Sequence, residues 1–272
     1  MSRVSGVTET RKASRRPAGP GRPDLLLVAE FKEALRQPGC PLCRRLREVD
    51  LHYLRVFLRE GKNDGRMLLR LLASWGLCAR HAGALVHLEP VERGDGLGTG
   101  TLYDWLLDQA RRLLDGLRRD FGTDDLAGSP QWRRRRTSRK RVEECLSRLA
   151  RRSSCPACEA QEWYAAYIAA EFVRALEPAA KLPQIREMYL ASDGLCLPHW
   201  RAVEGLLSRP DVRAPVADKQ REVVASLKAA LDAALARGVA GEGGEDGAPE
   251  DPAYARALAA VAGDTVWQPG ER

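Results

Sequence analysis

The chain has no run of about 18 apolar residues, so no segment of it could cross a bilayer as a helix. Its opening stretch, MSRVSGVTETRKASRRPAGPGRP, lacks the apolar core of a secretory signal. A cytoplasmic, reducing setting is therefore expected, and there paired cysteines serve more readily as metal ligands than as structural disulfides. Alternating runs of β-branched residues are also missing, so almost no sheet is expected. There is no nucleophile elbow, Walker loop, dinucleotide fingerprint or H-E-x-x-H motif, and nothing positive argues for an enzyme. Lysine is scarce, 7 against 37 arginines. That ratio is read as the codon bias of a GC-rich genome and carries no mechanism.

Cysteine, by contrast, is concentrated in a pattern that occurs twice. Cys40 and Cys43 form CPLC, and after 34 residues Cys78 and His81 form CARH. Cys155 and Cys158 form CPAC, and after 37 residues Cys196 and His199 form CLPH. Six of the seven cysteines and two of the four histidines fall into this pattern. Three thiols and an imidazole are a soft, four-coordinate ligand list that suits zinc, with no position left open for water or substrate. Two structural zinc ions per chain are expected. The same ligands leave two alternatives open: a [2Fe–2S] cluster, and a redox- or metal-responsive switch in which oxidation releases the metal and the thiols pair.

The surrounding sequence repeats as well. LASWGLC (72–78) and LASDGLC (190–196) differ at one position in seven. Each half reads as five helices. Lead-in helices are expected at about 24–36 and 140–152, and long helices opening at CPxC at about 41–60 and 156–177. Short helices before GLC follow at about 66–74 and 184–192, then a helix beginning at each C-x2-H, and last helices at about 101–120 and 216–237. In the first long helix, Leu42, Leu46, Val49, Tyr53 and Val56 step by four and three. Leu51, Leu54 and Leu58 make a second stripe, which predicts burial on two sides. Trp163, Tyr167 and Ala170, beside Tyr164, Ile168 and Phe172, do the same in the second. Pro41 and Pro156 fit the first turn of their helices, where a missing N–H costs nothing. Asp251-Pro252 predicts a cap and first turn of a short tail helix.

A helix opening at CPxC, a short helix ending in GLCxxH, and a duplication of that unit resemble a bacterial protein family of unknown function. The resemblance covers about residues 24–238 and rests on Cys40, Cys43, Cys78 and His81 with Cys155, Cys158, Cys196 and His199. It implies a helical, metal-binding fold and brings no activity with it.

The expected architecture is all-α: two homologous helical modules at 24–120 and 139–238, each closed by its own Cys3His site. A helix of 43–60 runs out about 26 Å and the return to Cys78 can span about 30 Å, so each CPxC could meet the C-x2-H that follows it. Residues 1–23 are read as a disordered basic tail, 121–138 as a linker, and 239–272 as an acidic, mostly disordered tail. Cys145, which has no repeat partner, is read as a core cysteine, and His52 and His87 as ordinary surface or core histidines.

The net charge of +7 sits in the first 23 residues and in RRRRTSRKR (133–141), partly offset by the acidic tail. The folded body is therefore neutral, which argues against a broad nucleic-acid surface. The role expected is a metal-stabilised binding or scaffold protein with a protein partner. Arg133, Arg134, Arg135, Arg136, Arg139, Lys140 and Arg141 offer a further possibility, sequence-blind contact with nucleic acid, with Trp132 as a base platform. The acidic tail is a competing ligand for the same cations.

Overall fold

A computed structural model of the protein describes residues 23–122, 131–180, 182–239 and 252–263. Among these residues there are eleven α-helices and no strand. The first half holds α1 (Leu25–Leu35), α2 (Pro41–Arg59), α3 (Gly65–Ser74), α4 (Ala79–Arg93) and α5 (Leu97–Gly122). The second holds α6 (Gln131–Leu149), α7 (Pro156–Leu176), α8 (Pro183–Ala191), α9 (Leu197–Glu204) and α10 (Pro210–Val239), and α11 (Pro252–Ala262) follows. The repeat is thus a repeat of helices. The main difference from expectation is that α6 starts at Gln131, nine residues before the expected lead-in helix, so the basic run is helical backbone rather than linker.

Local chemistry explains the boundaries. Asp24 and Asp64 cap α1 and α3, each accepting from the backbone N–H two residues on at 2.9 Å. α2 and α7 begin at Pro41 and Pro156. α4 and α9 begin immediately after Cys78 and Cys196, which occupy the extended cap position and make no side-chain cap bond. All four ligand pairs of the sequence therefore open a helix.

The chain divides into two compact units that do not coincide with its two halves. One gathers Met1–Pro41 with Tyr167–Ala257, the other Leu42–Ala166 with Leu258–Arg272. Each unit thus mixes segments from both halves of the sequence.

In the first unit, Phe31 of α1 packs edge-on against Phe172 of α7 at 5.2 Å, and Phe172 against Tyr189 of α8 at 5.7 Å. Ile185, Val203, Val212 and Val216 are among the residues buried with them. Glu171 is buried beside them, bound by Arg174 and by the backbone N–H of Asp24 at 3.1 Å. In the second unit, Leu54, Phe57 and Leu58 of α2 pack with Leu71, Leu77, Leu85, Leu88 and Leu102, and with Cys155 and Ala157. The two-sided burial of α2 holds, but Val56 is 41% exposed and Phe57 takes its place in the core. The α7 stripe is likewise split: Ile168 and Phe172 are buried, whereas Trp163 and Tyr164 are exposed. Cys145 is buried with its thiol 3.7 Å from the Leu113 carbonyl, and His52 and His87 are exposed.

Each GLC loop needs its glycine. Gly76 sits at φ +86° and Gly194 at φ +74°, a region that L-residues enter only with strain. A Cβ on Gly76 would lie 3.2 Å from the Tyr103 ring, and one on Gly194 would lie 3.1 Å from Val223. The helix that crowds each glycine also holds its loop. Leu77 N–H donates to the Tyr103 hydroxyl at 3.3 Å, and Gln220 bridges the N–H and carbonyl of Leu195 at 3.1 and 2.7 Å.

Candidate metal centres

Both loops deliver a cysteine and a histidine one helical turn apart, and each meets a CPxC pair. The eight expected ligands form two groups of four, within each of which the donor atoms lie no more than 4.8 Å apart. The groups are Cys78, His81, Cys155 and Cys158, and Cys40, Cys43, Cys196 and His199. The pairing within halves expected from chain length is therefore corrected. Each CPxC meets the C-x2-H of the other half, and no module closes its own site.

Helix geometry accounts for the exchange. His81 lies 3.4 Å from Asp50 in the middle of α2. Asp50 is seven residues beyond Cys43, about 10 Å further along the helix at ~1.5 Å per residue. The return through α3 stops at that level and leaves Cys78 and His81 well short of Cys43. There the second CPxC meets them, because the Arg152 N–H bonds to the Ala73 carbonyl at the end of α3 at 2.8 Å. Span lengths allow either pairing; the packing of α3 and α4 along α2 decides it.

In the first group the imidazole is the focus. His81 Nδ1 lies 3.2 Å from Cys78 Sγ, 3.4 Å from Cys158 Sγ and 3.6 Å from Cys155 Sγ, and Cys78 and Cys158 are 3.6 Å apart. One ring nitrogen has one lone pair or one proton, so it cannot hydrogen-bond three sulfurs together. Zinc with bonds of about 2.3 Å to sulfur and about 2.0 Å to nitrogen makes a tetrahedron with S–S edges of about 3.8 Å and S–N edges of about 3.5 Å. The three S–N edges and the Cys78–Cys158 edge match it to within a few tenths of an ångström. In the other group His199 Nδ1 is 3.1 Å from Cys196 Sγ and 3.5 Å from Cys40 Sγ. Its entry loop is tied where Gly39 N–H donates to Asp193 at 2.9 Å.

The surroundings suit bound anions. Backbone N–H groups of Cys78, Cys158 and Ala157 donate to Cys155 Sγ, so the start of α7 supplies positive dipole to a thiolate. On the far side of the ring, His81 Nε2 faces both the Arg80 guanidinium at 2.8 Å and Asp50 at 3.4 Å, while Arg80 itself pairs with Asp50 at 3.2 Å and reaches Gln161. With Nδ1 on a metal, Nε2 would carry the proton; Asp50 is the acceptor within reach, and Arg80, which can only donate, would then turn to Asp50 and Gln161, giving a carboxylate–histidine arrangement that fixes ring orientation and raises ligand basicity. Asp50, Arg80 and Gln161 went unnoticed in the sequence. Positions 165 and 198, which match Asp50 and Arg80 in the repeat, are Ala165 and Pro198, so the repeat carries no signal for them.

The same contacts polarise the metal-free cluster. Burial disfavours the charged imidazole, but Asp50 and Cys155 outweigh it and lift His81 to about 10. Burial also disfavours the Cys155 thiolate, yet His81 and three backbone N–H groups bring it down to about 6. Cys158 moves the other way: burial, then the neighbouring sulfurs of Cys78 and Cys155, push its thiol up. In the metal-free cluster both shifts favour an imidazolium beside the Cys155 thiolate.

Of the cationic run, Arg139 pairs with Glu143 at 2.9 Å and Lys140 is exposed. The side chains of Arg133, Arg134, Arg135, Arg136 and Arg141 lie outside the described residues, as do both tails beyond residues 23 and 263. No helix among the described residues is long and apolar enough to cross a membrane. Comparison with protein-family models, curated proteins and solved structures finds no match.

Proposed function

We propose that the protein is a zinc-stabilised helical binding or scaffold protein, with one Zn²⁺ in each four-residue group and no metal chemistry of its own. The observation that carries this reading is the convergence of three sulfurs on His81 Nδ1 with tetrahedral edges. Four protein donors fill a zinc coordination sphere, and full spheres belong to structural sites. A two-iron cluster would set its donors in two pairs, one on each metal, and spread those pairs across the width of the cluster. Donors all within 4.8 Å of one another suit a single ion instead.

The zinc would hold together segments distant in sequence, since Cys78 and Cys158 are 80 residues apart. Metal binding would thus contribute folding free energy directly. Native mass spectrometry with elemental analysis of freshly purified protein tests the reading. Two zinc ions per chain and a colourless solution are expected. A brown protein with iron and sulfide, or one without tightly bound metal, overturns it.

A further inference from the structure

Beside the Cys78–His81–Cys155–Cys158 group lies a pocket of about 610 Å³ between the end of α3, the middle of α5 and the end of α6. Its lining combines Trp75, Leu113, Arg112, Arg148 and Arg152 with a single carboxylate, Glu144. We propose that this pocket binds a small nucleotide-class ligand, a flat ring joined to an anion, with Trp75 against the ring and the guanidinium groups on the anion.

Three observations converge on it. First, two of the three guanidinium groups have no paired carboxylate among the described residues. Arg112 pairs with Asp108 at 2.7 Å, but Arg148 and Arg152 are exposed and have no carboxylate paired to them among the described residues. Guanidinium groups of this kind suit a phosphate, which they can grip with paired N–H donors. Second, Trp75 is held in a left-handed conformation, φ +50°, the only non-glycine residue with positive φ among those described. Such strain persists where the surroundings over-determine it, and it gathers at functional sites. Here the indole N–H is pinned to the Arg148 carbonyl at 3.2 Å, which sets the ring at the pocket wall. Third, Trp75 is the one position at which LASWGLC departs from LASDGLC. Its counterpart Asp193 does not share the left-handed backbone, so both the residue and its conformation are particular to this half.

The pocket is also placed to depend on the metal. Trp75 is three residues before the ligand Cys78, and Arg152 is three before Cys155. The two segments are joined by the bond from Arg152 N–H to the Ala73 carbonyl. A metal that clamps Cys78 to Cys155 therefore holds Trp75 and Arg152 in register. This dependence rests on the zinc reading, whereas the pocket itself does not.

Calorimetric titration of the full-length, zinc-loaded protein with ADP, GDP and UDP tests the proposal, with adenosine and pyrophosphate as ring-only and anion-only probes. Saturable binding of at least one nucleotide, tighter than about 1 mM and tighter than either partial probe, is expected. Trp75→Gly suits the left-handed backbone; it should keep the melting temperature and weaken binding about tenfold or more, while Trp75→Phe retains it. If Trp75→Gly does not fold, Arg148→Gln with Arg152→Gln decides, since both substitutions keep the backbone bonds; a loss of about tenfold or more is expected. No nucleotide binding by the zinc-loaded wild type, or unchanged binding in the folded Trp75→Gly and double-Gln variants, overturns the pocket. Equal binding after chelation overturns only its dependence on the metal.

Discussion

Exchange of ligands between the two halves can be tested by pairing cysteine substitutions and counting metals. Cys78→Ser with Cys155→Ser removes two ligands from one group and leaves the other whole, so one zinc should remain. Cys40→Ser with Cys78→Ser damages both groups, so none should remain. Pairing within halves reverses the two outcomes. The distances leave little room for compromise: Cys78 and Cys155 both lie within 3.6 Å of His81 Nδ1, whereas Cys43 is about 10 Å up α2 from the level of that imidazole. Stability should follow the count. With free zinc at a thousand times Kd, one site contributes about 4 kcal/mol, which is about 8–16 °C in melting temperature for a protein of this size. The Cys78–Cys155 pair should lose little more than either single variant, because the first substitution already releases the ion. Native mass spectrometry gives the count and thermal unfolding gives the coupling. One zinc retained by the Cys40–Cys78 variant, with none in the Cys78–Cys155 variant, would refute the exchanged arrangement.

Three further outcomes follow from named contacts. Asp50→Ala removes the acceptor of His81 Nε2 and should weaken zinc about 10- to 100-fold at one site only, seen as two-phase transfer to a chromophoric chelator; single-phase transfer matching the wild type counts against it. Gly76→Ala should cost about 2 kcal/mol by chemical denaturation, from the left-handed backbone and the close Tyr103 ring; an unchanged midpoint would show that the loop can relax. In the chelated protein, His81, raised from 6.5 to about 10, stabilises fully below its ordinary value and loses this as pH rises through its folded value. Cys155, lowered from 9.0 to about 6, stabilises fully above its ordinary value and loses this as pH falls through its folded value. Metal-free stability should therefore peak broadly between those two folded values and fall on both sides, and a urea midpoint that rose steadily across that range would contradict the ion pair.

Much of this protein was legible in its residues. Helix period, proline at the first turn and the repeated GLC punctuation are local properties. They placed the expected helices within a few residues of those observed, apart from the early starts of α5, α6 and α10. Ligand identity was equally local, because C-x2-C and C-x2-H set two donors on one turn whatever the rest of the chain does. The partner of each pair was not. A repeat offers two partners of the same chemistry at similar chain distance, and loop closure discriminates weakly between spans of comparable length. The choice fell to packing: α3 and α4 settle against the middle of α2, beside Asp50, and the Arg152–Ala73 bond brings in the other half's CPxC. Asp50, Arg80 and the pocket at Trp75 were hidden for the same reason. They break the repeat and become neighbours only when the helices are assembled, so tertiary structure alone decided which thiols share an ion and what lies beside it.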